Sequence, residues 1–572
     1  MGNKTSQKNT LNDLLDISCR HFAERPALSM AMEDPITYKE LHEKVMVLAA
    51  MIMETGIKTN DRVALLAENS PNWVIAYFAI IRIGAVAVPI LPDFPISDIH
   101  HILSETRAGI LFVSSHQMGR IPARDNYQLK KIIVLDDYKL KKVSTLDDYQ
   151  AERKSASVTT FSEFIGNTAG LNNKKFSSLR EAAAKVNESS LASIIYTSGT
   201  SGHSKGVMLS HSNFHTNVKA ADQLVELRPE WTFLSLLPVS HAYEFTVGLL
   251  LPVLNGCRIV YAGRPPTPSI MEKICRQEKP EAICIVPMII EKIYKKRILK
   301  TVEKNRLLRL AVHISALRKT FYKKVGRKLN TFFGGNLKIL AIGGAPLNPE
   351  AEKFLREAGL PYLVGYGLTE ASPLLAGGPF KSPDLKTGSC GKPIPGVEIK
   401  IKNPHPITGI GEIMARGPNI MQGYYNNPEL TTRTIDQFGW LATGDLGRLD
   451  NHGNLHIKGR SNNMIVLPNG ENIHPETIED KINANFYIAE SLVQENNGRL
   501  EARVYPDYSL IDQKIPGQSR KQRRKFIDRI LAELKNRINQ DLPPSARIHR
   551  FIECQEPFIK TVTKKIKRYL YT

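Results

Sequence analysis

Cysteine is scarce and scattered. Six thiols (Cys19, Cys257, Cys275, Cys284, Cys390, Cys554) stand among 572 residues, and no two form a CxxC pair. That spacing argues against a zinc site and against a disulfide framework, and it suits a reducing compartment. Long apolar runs are missing too: no stretch of about 18 uncharged apolar residues occurs, so no membrane-spanning helix is expected. The opening MGNKTSQKNT is polar and has no apolar centre, so a secretory signal is not expected and the expected location is cytoplasmic. No repeat of fixed period is visible. Met1-Gly2 with Ser6 fits the loose myristoylation pattern, which is short enough that coincidence is its ordinary meaning.

What is present is a long, strongly basic chain of otherwise ordinary globular composition. It exceeds what one hydrophobic core usually supports, so two or more domains are expected. The net charge of +21 is unevenly spread. Residues 291–330 hold fourteen Lys/Arg against two Glu, a local excess of +12. Ile293, Ile298, Leu299, Leu307, Leu308, Leu310, Val312, Ile314, Leu317 and Phe321 are interleaved at roughly helical spacing, which reads as one or two basic amphipathic helices. Such helices suit peripheral contact with an anionic membrane. They equally suit a solvated face packed on the body of the protein. Nucleic acid is not expected, because no nucleic-acid motif accompanies the charge.

Apolar runs at Arg62–Ala67, Ser193–Tyr196, Ala282–Val286 and Lys338–Ile342 read as buried strands, alternating with helical patterns at Asn72–Ile81 and Pro349–Ala358. Alternation of this kind predicts an α/β fold with mostly parallel sheets. Residues 115–190 are more polar and irregular and read as surface insertions. A hairpin through Asn451–Gly453 leads to Gly459-Arg460, where the pattern changes. Beyond it come a hairpin around Pro468–Gly470, a helix from Pro475, a strand near Glu501–Tyr505 and a basic helix over Gln522–Gln540. The expected organisation is a large N-terminal domain (1–460) of parallel sheets layered with helices, and a small α+β C-terminal domain (461–572).

The strongest local feature runs from Tyr196 to Gly206, YTSGTSGHSKG. An apolar strand enters a loop rich in Ser, Thr and Gly with one Lys. Glycines let backbone approach an anion, and successive N–H groups and hydroxyls can surround phosphate oxygens. GxxxxGK[ST] is absent, so this is no Walker A loop. A flexible linker is the usual meaning of Gly/Ser tracts, but the buried strand before it favours a phosphate loop. Further along, Gly343-Gly344-Ala345-Pro346 and Val364–Glu370 each end a strand, where α/β sheets bind ligands. Gly444-Asp445, Gly459-Arg460 and the basic run Lys560–Arg568 follow. Each alone has a dull alternative: a turn, a core aromatic, a helix-end charge, a solvated tail.

Together and in order, YTSGTSGHSKGVMLSH, LPVSHAYE, YGLTEASP, GWLATGDLGRLD and KGRSNNMIVLPNGENIHPETIE resemble the adenylate-forming superfamily of acyl-CoA synthetases, peptide-synthetase adenylation domains and firefly-type luciferases. The resemblance spans Thr37 to Arg568. It implies ATP, Mg²⁺ and coenzyme A as reactants, and a reaction in which a carboxylate first attacks the α-phosphorus and a thiol then displaces AMP. It implies that Thr197, Ser198, Gly199, Thr200, Ser201, Gly202 and Lys205 hold the β- and γ-phosphates. Gly344, Ala345, Tyr366 and Gly367 would bind adenine, with Tyr366 stacked on the ring. Thr369 would contact the α-phosphate; Glu370 and Thr200 would ligate Mg²⁺. Asp445 would grip the ribose, and Arg460 the ribose or phosphate. Lys565 would bridge the acyl carboxylate and α-phosphate, and His241 would lie near the acyl pocket. Asn462 would be the hinge of a mobile C-terminal domain, and Asn469-Gly470 would line the thiol tunnel.

The chain departs from the family twice. Asn462 stands where Asp or Lys is usual at the hinge, and Lys564 stands where Gly usually precedes the catalytic lysine. Within the superfamily the extended basic segment after Val286-Pro287 most resembles long-chain fatty acyl-CoA synthetases. A rival reading is an acyl-acyl-carrier-protein synthetase, or a stand-alone adenylation enzyme for another carboxylic acid whose acceptor is a protein-bound thiol, since a basic surface can dock an acidic carrier. A third is a nucleotide- or lipid-binding protein without catalysis, against which the retained Lys205, Glu370, Asp445, Arg460 and Lys565 speak.

Overall fold

The computed structural model describes residues 9–121, 128–136, 156–166, 171–197, 204–378, 385–467, 472–517, 519–540, 542, 544–561 and 565–571. Met1–Ser6, Ser198–Gly202, Asn469-Gly470 and Lys564 lie outside these.

Local sequence sets the helix starts. Thr37 caps Tyr38–Glu54 and exchanges bonds with Glu40, while Ser210 and Asn213 do the same for His211–Asp222, so orphan N–H groups at both ends are satisfied. The helix Pro349–Ala358 opens on a proline at its first position behind the Asn348 cap and stops at Gly359 in the left-handed region.

Two large sheets dominate. In the first, strands Thr232–Ser235, Ala282–Ile285, Ile339–Ile342 and Tyr362–Gly367 run parallel, with Arg258–Tyr261 and Pro26–Met30 continuing one side. In the second, Val86–Pro89, Arg62–Leu66, Ile110–Val113 and Leu191–Thr197 form the parallel centre. Side chains alternate across each strand: Val63 and Leu65 enter the core between the sheets, and Ala64 and Leu66 enter a second core under helix Ile96–Thr106. Burial on both faces explains why these strands read as continuous apolar runs. The central core is knitted by aromatics. Trp73 stacks on Tyr77 at 5.6 Å, and Phe245 meets Tyr77 at 4.6 Å and Phe214 at 4.9 Å. Truncating a ring in such a nest typically costs about 3–5 kcal/mol.

The stretch 115–190 corrects the expectation of surface insertions. Lys131–Val134 and Ser157–Thr160 join the second sheet as parallel edge strands, and Asn173–Lys185 is a helix. The outer strand, SVTT, is polar and half-exposed and lacks the apolar signature of the central strands; Ile132, Ile133 and Val134 are buried like them but stand within a polar stretch.

A four-stranded antiparallel sheet contains Leu441–Leu449 and Leu455–Arg460. After it, residues 467–548 build a separate core from helix Pro475–Asn483, strands Ile488–Asn496, Arg499–Pro506 and Ile548–Glu553, and helix Arg520–Gln540. Lys295 reaches from the larger body to the Ile488 carbonyl at 3.1 Å, and Lys300 to Gln513 at 2.5 Å.

Candidate active site

The Ser/Thr/Gly loop is the turn of an antiparallel hairpin. Strands Leu191–Thr197 and Lys205–Ser210 pair so that Thr197 stands opposite Lys205. Lys205 Nζ lies 5.8 Å from the centre of the Tyr424 ring, a distance at which a cation and a π face attract. The Tyr424 hydroxyl donates to Glu370 Oε1 at 2.9 Å. Tyr424 thus links the loop lysine to the expected metal-binding carboxylate. Its sequence neighbourhood announced no such role. What places it is strand Gly423–Tyr424 pairing with Val207 and Met208 beside the loop, a long-range contact with no local signature.

Two parallel strands of the first sheet end side by side, with Ile342 opposite Val364. Past the first, Gly344 takes φ +85° and, with Ala345, faces solvent. Past the second, a Cβ on Gly367 would lie 2.0 Å from the Pro373 carbonyl oxygen, so only glycine fits. Tyr366 is buried, and its hydroxyl donates to Asp445 Oδ2 at 2.8 Å. Burial first, and the Asp445 charge second, hold the phenol pKa far above its ordinary value. Thr369 is buried in the turn Thr369–Ala371.

Asp445 and Arg460 face each other across neighbouring strands of the four-stranded sheet. Arg460 Nε is 2.9 Å from Asp445 Oδ1, and the Asp445 N–H donates to Thr443 Oγ1 at 3.1 Å. Each carboxylate oxygen keeps a lone pair for a further donor such as a ribose hydroxyl. Asn462 lies directly after this pair, in the turn Ser461–Asn463 between the two bodies. Ser461 Oγ donates to the Gly444 carbonyl at 3.1 Å, and Asn463 Nδ2 to Glu476 Oε1 at 2.6 Å.

Lys565 arrives from the other end of the chain on a small hairpin. Lys560 bridges Ile566, the Thr561 N–H donates to the Lys565 carbonyl at 2.7 Å, and the Lys565 N–H donates to Thr561 Oγ1 at 3.1 Å. Arg568 anchors the hairpin to Glu479 and lies 3.9 Å from Glu476. Lys565 is exposed to water, yet protein crowds its ammonium enough to lower the pKa. Desolvation is the largest cause and the Arg460 charge adds to it, while Asp445 and Glu370 pull the other way. Lys565, the Asp445–Arg460 pair and Glu370 therefore share one electrostatic environment.

His241 is half-buried in the LPVSHAYE loop. The Tyr243 N–H points at His241 Nδ1 across 3.2 Å, which places the imidazole proton on Nε2. Burial and the Lys565 charge push its pKa down to about 4, so the ring is neutral at physiological pH. Asn69 braces this loop, accepting from the Val239 N–H at 2.8 Å and donating to the Leu237 carbonyl at 2.6 Å and to Ser235 Oγ at 2.9 Å. Ser235 in turn donates to the buried Glu244 at 2.6 Å. A Cβ at Gly343 would meet the Tyr243 ring at 3.2 Å, and Tyr243 lines a small apolar cavity of about 50 Å³ with Ala221, Leu251, Cys284, Ile342 and Gly365.

Among the described residues no three His, Cys, Asp or Glu side chains cluster as a self-sufficient metal cage. A lone, oriented carboxylate such as Glu370 beside a phosphate loop fits Mg²⁺, which takes one or two protein carboxylates and fills its other positions with substrate phosphates and water.

A Ser/Thr/Gly segment between paired strands, an Asp–Arg pair and a lysine near the C-terminus that shares the pair's electrostatic surroundings are marks of the adenylate-forming class. The model of the AMP-binding enzyme family matches residues 15–425, and the chain belongs to that family. The long-chain-fatty-acid–CoA ligase FadD15 of Mycobacterium bovis is 28% identical over 80% of this chain and 75% of its own. The chloroplastic long-chain-fatty-acid–[acyl-carrier-protein] ligase AEE15 of Arabidopsis thaliana is 25% identical over 88% of this chain and 77% of its own. The crystal structure of the anthranilate CoA ligase AuaEII in complex with anthranoyl-AMP shares the fold, with a TM-score of 0.77 at 19% identity over 100% and 98% of the two chains. Ligases of this family use ATP, Mg²⁺ and coenzyme A.

Proposed function

We propose that the protein joins a long-chain fatty acid to coenzyme A through an acyl-adenylate, releasing pyrophosphate and then AMP. The observation that carries this reading is the convergence of Lys565, Arg460, Asp445 and Glu370 in one electrostatic environment, with Lys565 acting also on His241, two residues before the Tyr243 that lines the apolar cavity.

A carboxylate and a triphosphate are both anions, so bringing them together requires fixed positive charge and hydrogen-bond donors. In the first step the acyl carboxylate oxygen attacks the α-phosphorus, the bond to the β-phosphate bridging oxygen breaks, and pyrophosphate leaves. Thr197 to Gly202 and Lys205 hold the β- and γ-phosphates. Gly344, Ala345, Tyr366 and Gly367 frame adenine, Asp445 takes the ribose hydroxyls, and Thr369 and Arg460 meet the α-phosphate. Lys565 neutralises the junction of carboxylate and α-phosphate. Its lowered pKa in the protein alone is what a cation awaiting an anionic partner experiences. Glu370, with Thr200, would hold Mg²⁺, which would neutralise charge on the phosphates when bound. His241, neutral with Nε2–H, offers a donor near the acyl carboxylate without adding charge. In the second step a thiolate attacks the acyl carbon and AMP departs. The 461–572 domain turns about Asn462 between steps, withdrawing Lys565 and bringing Asn469-Gly470 to the thiol path.

The dry lining of the cavity supports a hydrocarbon tail, and FadD15 supports the long-chain class. Likeness to AEE15 supports a second reading, in which a carrier-protein thiol replaces coenzyme A. ATP–pyrophosphate exchange across fatty acids of graded length tests the acid. Exchange rising with chain length is expected, and exchange with no fatty acid overturns the reading. Comparing coenzyme A with acyl carrier protein as acceptor decides the thiol.

A further inference from the structure

The basic segment turns out to expose apolar tips. Between strands Ala282–Ile285 and Ile339–Ile342 the chain forms a short helix, Arg306–Ala311, an elbow, and the long helix Ser315–Phe332. At the elbow Leu307 is 78%, Leu310 63%, Ile314 56% and Leu317 49% exposed. Single exposed apolar residues are ordinary, but four within eleven positions make a patch. The orientation is fixed from below. Tyr322 and Gly326 face the body, and a Cβ on Gly326 would come within 2.5 Å of the Ala358 carbonyl oxygen. Lys323, Lys324, Arg327 and Lys328 therefore point outward, with Arg306 and Arg309 beside the leucines. Among the described residues no carboxylate pairs with these six cations, whereas Arg318, nearer the body, is bonded to Glu357 at 2.8 Å.

We propose that this elbow is a docking surface for an anionic lipid bilayer, with Leu307, Leu310, Ile314 and Leu317 inserting among the headgroups and the flanking cations binding lipid phosphates. Apolar tips ringed by unpaired cations match an interface that is apolar beneath and negative at its surface. A nucleic-acid backbone matches the charge but leaves four large apolar side chains in water. The patch lies on the crossover joining two strands that line the apolar cavity. The inference rests on exposure and charge and stands apart from the choice of acid.

The test is flotation of the full-length protein with phosphatidylcholine vesicles, with and without phosphatidylglycerol. The protein should float with the anionic vesicles, not the neutral ones, and release as salt rises. Leu307→Asp/Leu310→Asp and Arg306→Glu/Arg309→Glu should each lower the bound fraction about tenfold or more. Leu307→Ser/Leu310→Ser, a milder change, should lower it less. Exchange activity with a short water-soluble acid should be unchanged in all three, which verifies folding independently of lipid. No flotation of the wild type, or flotation that survives loss of the leucines, overturns the proposal. So does binding to duplex DNA that depends on Arg306 and Arg309 but not on Leu307 and Leu310. Failure of exchange in the wild type would count against the proposed reaction and leave the flotation result decisive for the surface.

Discussion

The Tyr366 hydroxyl donates to Asp445 Oδ2 across 2.8 Å, joining the last parallel strand of the first sheet to the antiparallel sheet that leads to the turn Ser461–Asn463. Arg460 occupies the other oxygen of the same carboxylate. The phenol thus both presents a ring face and orients the group assigned to ribose. Tyr366→Phe keeps the face and removes the bond. Losing one such hydrogen bond typically costs about 1–2 kcal/mol. The KM for ATP should rise roughly fivefold to twentyfold while kcat changes less. Steady-state kinetics at saturating acid check this; an unchanged KM would remove Asp445 orientation from the account.

Tyr424 orients Glu370 from behind. Partners of this kind that hold a metal-binding carboxylate commonly change metal affinity about tenfold to a hundredfold when lost. Tyr424→Phe should raise the Mg²⁺ concentration for half-maximal exchange by about tenfold, with activity recovered at high Mg²⁺. A drop in activity that Mg²⁺ does not restore would show that Tyr424 acts otherwise.

Part of this site was legible from residue order alone. The strand ends at Gly343 and Tyr366 follow from short apolar runs that stop at glycine, and the Asp445–Arg460 hairpin follows from its Asn451–Gly453 turn. Tyr424 and Asn69 were not legible, since their roles come from residues distant in sequence. Nor was the Arg568 anchor, since a cation in a run of lysines gives no sign that Glu479 awaits it in another helix. The edge strand Ser157–Thr160 was missed because it is polar and half-exposed, and Lys131–Val134 because its apolar run stands within a polar stretch. The basic segment was read as amphipathic, and the structure adds that its leucines divide: Leu299 and Leu329 pack on the body, while Leu307 and Leu310 do not.

Glu244 makes stability depend on pH. It is fully buried, and desolvation raises its pKa from 4.5 to about 8, while the Ser235 hydroxyl opposes the rise. An acid whose folded pKa lies above its unfolded one contributes stability that is complete below the unfolded value and is lost as pH rises through the folded one. The wild type should therefore lose stability between about pH 4.5 and about pH 8 through this group, by an amount on the order of a few kcal/mol. Glu244→Gln carries no charge to bury. Its Tm should exceed that of the wild type above about pH 8 and converge with it near pH 5, roughly. Parallel Tm curves across that range would contradict the assignment.

The central claim is that Lys565 serves the first half-reaction alone, and the most direct measurement is Lys565→Ala assayed separately in each half. Loss of one charge-stabilising donor typically lowers a rate by about two to three orders of magnitude. ATP–pyrophosphate exchange should fall by that amount, while thioester formation from preformed acyl-adenylate and coenzyme A should proceed at nearly the wild-type rate. Equal loss in both halves, or no loss in exchange, would contradict the account.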